Sequence, residues 1–310
     1  MAQGSLLTVG TDRPHLNKYA WLAIAAALAT ILLKTGAWWV TGSVGLLSDA
    51  LESIVNLVGA MMALAMLTLA ARPPDESHTY GHGKAEYFSS GLEGGLIVVA
   101  ALAIGWAAIE RLLQPQPLEQ VGAGLAVAVV ASLINLGVSL TLRKAARQHD
   151  SITLAASASH LMTDVWTSAG VVTGVALVGI TGWLWLDPLL ALGVAVNIIV
   201  TGYLIMRDSA HGLMDRSLPE EALQRIESVL AAYRGPEVEF HALRTRAAGA
   251  RRFASMHVLV PGAWTVQQGH DLLERLEADL RSALPGLSVL THLEPLEDPA
   301  ARDDHDISLY

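Results

Sequence analysis

SITLAASASHLMTDVW, residues 151–166, lies inside an apolar run and yet carries His160 and Asp164. Four residues apart on a helix, the two side chains share one face, about one turn from each other. An imidazole and a carboxylate are costly to bury at membrane depth. They are tolerable there if they face the interior of a helix bundle and share a cation. On that reading most of the chain is scaffold, access or control for the pair.

The surroundings fit a membrane setting. Of 310 residues, 52% are hydrophobic and only 16% charged, against about 25% charged in a soluble domain. The imbalance is uneven: residues up to about 206 are apolar with sparse charges, and those beyond 208 are charge-rich. The chain therefore divides into an expected transmembrane domain (1–209), a soluble domain (210–296) and a mobile acidic tail (297–310). A net charge of -9 gives no support for a nucleic-acid partner. The absence of Cys excludes disulfides and thiolate metal sites, and leaves the 11 His with Asp and Glu as the metal-ligating groups.

Six apolar runs are each long enough for the roughly 20 residues of a spanning helix: residues 19–40, 44–70, 87–113, 121–142, 152–182 and 183–206. Six spans place both termini on one side. Basic residues mark that side as cytoplasmic: Arg13 and Lys18, Arg72 and Lys84, Arg143, Lys144 and Arg147, then Arg207 and Arg216. Arg111 is the main exception on the other side. A cell inner membrane, crossed several times, is compatible with this pattern.

Beyond residue 218 the periodicity changes. Residues 218–233 read as a helix with Pro219 in its first turn. Residues 238–247 and 252–260 alternate like paired strands around the 248–250 turn, 265–284 is an amphipathic helix, and 287–293 is a short strand. The expected fold class is thus an α-helical membrane protein of six transmembrane helices with a small αββαβ, α+β domain.

The second run offers a matching pair. Glu52 and Asn56 share a helix face at i, i+4 spacing, and Asp49 lies close to it. Two crossing helices could bring Glu52, Asn56, His160 and Asp164 together. Such an N/O set suits Zn(II), Fe(II), Mn(II) or Co(II), with tetrahedral geometry favouring Zn(II). The plainer alternative is interhelical hydrogen bonding, which Asn56 alone fits equally well. Glu93, on the third run, is a proton relay, a partner to a ligand, or a residue in a wet cavity, with direct metal binding the least expected of its roles. Lys34 either snorkels or pairs with Asp49 or Glu93. In the loop between runs two and three, Asp75, His78 and His82 could close on one metal, with Gly81 and Gly83 permitting a tight backbone. The alternative there is an ordinary polar loop.

With these features together, the chain resembles the cation diffusion facilitator family, in particular its bacterial zinc and ferrous-iron efflux type. The marks are YGHGKAE (80–86), the His160–Asp164 pair, LMDRSLPEE (213–221) and FHALRTRAAG (240–249), in order from about residue 16 to 296. The resemblance implies a homodimer in the lipid bilayer that exports divalent cations (Zn, Fe(II), Mn, Co or Cd) in exchange for protons. It implies a transport site at Glu52, Asn56, His160 and Asp164, and a loop site at Asp75, His78 and His82. It further implies a metallochaperone-like cytoplasmic domain binding metal at His241, His257, His270, His292 and Glu294, and a dimer salt bridge between Lys84 and Asp215. One departure stands out: the zinc and iron members usually carry two Asp on the second span, where this chain has Glu52 and Asn56.

A metal requires neutral imidazole and ionised carboxylates, so protons compete for the same groups. An imidazole ordinarily titrates near pH 6.5, which makes His160 the expected exchanger. The chain shows no nucleophile–base constellation and no Walker-type phosphate loop, so it reads as neither an enzyme nor an ATP-driven pump. A membrane-anchored metal sensor or buffer is the alternative, but it would not need a His–carboxylate pair in mid-membrane.

Overall fold

The computed structural model describes residues 16–41, 44–114 and 123–302, without the side chains of residues 40–52, 123–125, 171, 175, 176, 179 and 187. Its described residues form two compact units, 16–211 and 212–302.

Among the described residues the first unit holds six helices: α1 (Asn17–Thr41), α2 (Val44–Ala70), α3 (Ala85–Leu113), α4 (Ala123–His149), α5 (Ile152–Thr181) and α6 (Leu186–Leu213). At 25 to 30 residues, each is roughly 37–45 Å long, enough to cross a bilayer. Among the described residues, five (α1, α2, α3, α4 and α6) are apolar and long enough to span by length and composition. The helix α5, 30 residues long, packs among them against α4, α3 and α2.

The polarity of this unit is inverted relative to a soluble protein. Trp21, Leu32, Val99, Trp106 and Leu133 are each more than half exposed, while Thr30, Asn56, Glu93, Asn135 and His160 are buried. That arrangement is stable only where the surrounding solvent is hydrocarbon. Small residues bring the helices close: a Cβ on Gly94 of α3 would lie 3.0 Å from the Gly202 carbonyl of α6, so only glycine permits this approach. Beside it Ile97 and Ala101 pack on Ile198.

Helix ends depart from the apolar runs in an instructive way. The helix α4 continues past residue 142 to His149, and α6 continues past residue 206 to Leu213. Hydropathy marks where side chains meet lipid, whereas backbone hydrogen bonding carries the helix on into the polar interface. The α5–α6 boundary is set by Gly182, which caps α5 at φ 75 and donates to the Val178 carbonyl. Trp183 and Trp185 stack in the short link, ring centroids 5.5 Å apart.

The second unit contains α7 (Glu220–Tyr233), β1 (Glu239–Ala248), β2 (Arg251–Val260), α8 (Val266–Ala283) and β3 (Leu287–Pro295), followed by a 3-10 turn, Pro299–Arg302. That turn falls within the stretch expected to be a mobile tail; residues 303–310 lie outside the described residues. The sheet order is β1-β2-β3, with β1 antiparallel and β3 parallel to β2. Thr265 begins α8 with a capping box closed by Gln268. Ile226, Leu230, Met256, Val258, Leu276 and Leu280 form the core between the helices and one sheet face.

Candidate metal sites

In the helical unit, α2 and α5 meet at Asn56 and Asp164. Asn56 Nδ2 donates to Asp164 Oδ2 at 2.5 Å. Asn135 of α4, which sequence reading missed, donates to the same oxygen at 3.0 Å. Two amides thus orient one carboxylate. Asn56 Oδ1 is buried and has no hydrogen-bond partner among the described residues, which leaves a neutral oxygen able to ligate. His160 is buried on the same helix as Asp164, one turn before it. Glu93 of α3 is fully buried, and its Oε1 accepts from Ser157 of α5 at 2.6 Å. Asp49 and Glu52 lie on α2, but their side chains fall outside the described residues.

The end of this unit at which α3 and α5 begin carries a second buried carboxylate. Ser151, the N-cap of α5, donates to Glu86 Oε2 at 2.5 Å, and Thr153 donates to the Glu86 carbonyl at 3.2 Å. A capping serine serving a buried glutamate ties the start of α5 to the start of α3.

The loop between α2 and α3 folds around Asp75. Its Oδ1 accepts from the backbone N–H of Ser77 and His78 at 3.0 and 2.7 Å. The His78 backbone bond, above all, holds this carboxyl below its ordinary range, so it stays ionised in mildly acidic solution. His78 Nδ1 lies 3.2 Å from Oδ1 and His82 Nε2 lies 3.2 Å from Oδ2. The three ligand atoms lie within 4.8 Å of one another. Gly81, at φ 81, makes the turn that brings His82 back over Asp75.

In the second unit, three histidines form one rung of the sheet. His241 of β1 is in register with His257 of β2, which is in register with His292 of β3. Glu294, two residues beyond His292, reaches all three: 3.0 Å to His241 Nε2, 3.3 Å to His257 Nδ1 and 3.5 Å to His292 Nε2. A β-bulge makes the rung possible. Phe240 and Leu243 both pack on the core, which strict alternation forbids for residues three apart. Ala242, at φ 52, takes up the extra residue, and the register shifts between His241 and Arg244. His270, on α8, is exposed and stands outside the His241–His257–Glu294 group. Asp215 accepts from Arg246 at 3.2 Å in this unit, and Lys84 is the N-cap residue of α3 in the other.

Comparison with known proteins places this architecture. The profile of the cation efflux transmembrane domain matches residues 20–214, and that of the cation efflux protein cytoplasmic domain matches residues 218–296. The chain belongs to the cation efflux family. It is a transporter rather than an enzyme, with membrane helices and a dimerisation domain, in a family that moves metal cations. Among cation efflux relatives, an uncharacterized transporter of Synechocystis, sll1263, is 56% identical over 91% of this chain and 91% of its own. The cation-efflux pump FieF of Klebsiella pneumoniae is 30% identical over 90% of this chain and 93% of its own. A solved structure, the metal-bound C-terminal domain of the CzcD transporter from Thermotoga maritima, is 26% identical. It covers 26% of this chain and 92% of that one, with a TM-score of 0.24.

Proposed function

We propose that this cation efflux protein exports divalent transition-metal cations from the cytoplasm in exchange for protons, as a homodimer in the inner membrane with both termini cytoplasmic. The observation that carries this reading is the meeting of Asn56 and Asp164 across α2 and α5, one turn from buried His160. With Glu52, which the sequence places one turn before Asn56, they make up an N/O donor set suited to Zn(II), with Fe(II), Mn(II), Co(II) and Cd(II) as further cargo. Asp164 and Glu52 supply negative charge, His160 a nitrogen and Asn56 a neutral oxygen.

Exchange follows from the same groups. The ion binds when His160 is neutral and the carboxylates are ionised, and it leaves when protons take its place. If the site opens alternately to the two sides, a proton gradient directed inward drives the metal outward. The loop triad Asp75, His78 and His82 and the cytoplasmic rung His241, His257, His292 with Glu294 then serve capture and regulation. His270 is an additional ligand of the cytoplasmic domain on this reading.

The test is metal accumulation in proteoliposomes under an imposed pH gradient. Zn(II) accumulates with the gradient and stops when an ionophore collapses it. Accumulation that ignores the gradient would overturn proton exchange.

A further inference from the structure

Glu93 is a carboxylate at membrane depth that the four-residue transport site does not use. It is 1% exposed, and among the described residues Ser157 is its only hydrogen-bond partner. Its Oε2 is buried without a partner among the described residues. No lysine or arginine among the described residues pairs with it. A buried carboxylate in that state needs a compensating charge to be tolerable as an anion.

Its neighbours point to where that charge sits. A Cβ on Gly59 of α2 would lie 3.8 Å from Glu93 Cγ and 3.8 Å from His160 Nδ1. Glu93 and His160 therefore flank one small space, which Gly59 keeps open, one turn along α2 from Asn56. Ser157 and His160 are three residues apart on α5, so they share a face. By donating to Oε1 at 2.6 Å, Ser157 ties the Glu93 carboxylate to α5, the helix that carries His160. The second oxygen is left without a partner among the described residues, on a side chain whose Cγ lines the same space as the imidazole.

We infer that Glu93 Oε2 is a metal ligand, contributed by a third helix, to the transport site at His160 and Asp164. This rests on the transport reading above and deepens it. A divalent cation beside His160 supplies the charge that Glu93 lacks, and Glu93 supplies a carboxylate where Asn56 brings only a neutral amide. The site then spans α2, α3 and α5, so ion binding clamps α3 to α5 as well as α2.

The test uses the full chain in detergent and Zn(II) alone, with the membrane site defined as the component of the binding isotherm that His160→Ala removes. Glu93→Gln keeps the side chain's shape and its bond to Ser157, and unfolding without metal checks that it folds. It is expected to weaken that component by at least about tenfold, while Asn56→Asp in the Glu93→Gln background restores affinity to within a few-fold of wild type. Unchanged affinity in folded Glu93→Gln overturns the inference while leaving the transport reading intact, as does a loss that Asn56→Asp leaves uncorrected. If His160→Ala removes no component, both fall together.

Discussion

Asn56 on α2 donates to Asp164 on α5 at 2.5 Å, so two candidate ligands hold each other before any ion arrives. Asn135 holds the same carboxylate from α4. The arrangement ties three helices to one oxygen, and an ion that draws Asp164 away must exchange these bonds for its own. That couples metal binding to helix packing.

Replacing Asn56 by Asp tests that coupling. Two carboxylates at hydrogen-bond distance repel when both are ionised. The Asn56→Asp protein should melt lower than wild type in detergent without metal, and gain more than wild type when Zn(II) is added. Equal melting points with and without metal would show that Asn56 and Asp164 are independent.

The Glu86–Ser151 contact should be a stability determinant. Ser151→Ala removes the N-cap of α5, worth about 1 kcal/mol, and one donor to a fully buried carboxylate, worth about 1–3 kcal/mol. A double-mutant cycle with Glu86→Gln, read by thermal unfolding, should return a non-zero coupling energy. Additive losses would assign the two residues to separate roles.

Close packing of α3 on α6 depends on Gly94 and Gly202. Gly202→Leu would place a side chain where the Gly94 carbonyl lies, and should cost about 1–3 kcal/mol through overpacking. The loss should be read as a lower melting temperature of the detergent-solubilised protein, and Gly95→Ala, which meets nothing within 4 Å, is the control with little effect.

In the cytoplasmic domain Glu294 reaches all three histidines of the rung. Zn(II) should raise the unfolding temperature of this domain, and a chelator should reverse the gain. Glu294→Gln should diminish the metal-induced gain more than His292→Ala, because it removes the charge common to the rung. Equal gains in both variants would place the metal elsewhere.

Tyr233 donates to Asp279 Oδ2 at 2.6 Å, joining α7 to α8, and this bond raises the phenol above its ordinary value near 10. With the folded value raised, the contribution to stability is present below the unfolded value and is lost as pH rises through the folded one. Ultraviolet titration should therefore show one tyrosine ionising late, and Asp279→Ala should shift it back to the ordinary range.

Much of this was legible in the residues, for identifiable reasons. His160–Asp164 and Glu52–Asn56 stood out because i, i+4 spacing turns sequence distance into a shared face. The loop triad was legible because its ligands are close in sequence. Asn135 was not, since a lone amide in an apolar run gives no sign of a partner on another helix. Glu86 was hidden within a polar motif, where nothing in the residue order says that a carboxylate will be fully buried. The histidine rung depends on register, and register in β1 depends on the bulge at Ala242, which strict alternation does not predict. Glu93 was visible as an intramembrane carboxylate, but its position beside His160 required three helices to be packed.

The most direct test of the central claim is Zn(II) uptake into proteoliposomes under a pH gradient, comparing wild type with the His160→Ala/Asp164→Ala protein. The account predicts gradient-driven uptake by wild type and a fall of at least about tenfold in the variant, with the variant still folded and still binding Zn(II) in its cytoplasmic domain. Undiminished flux in that variant would contradict it.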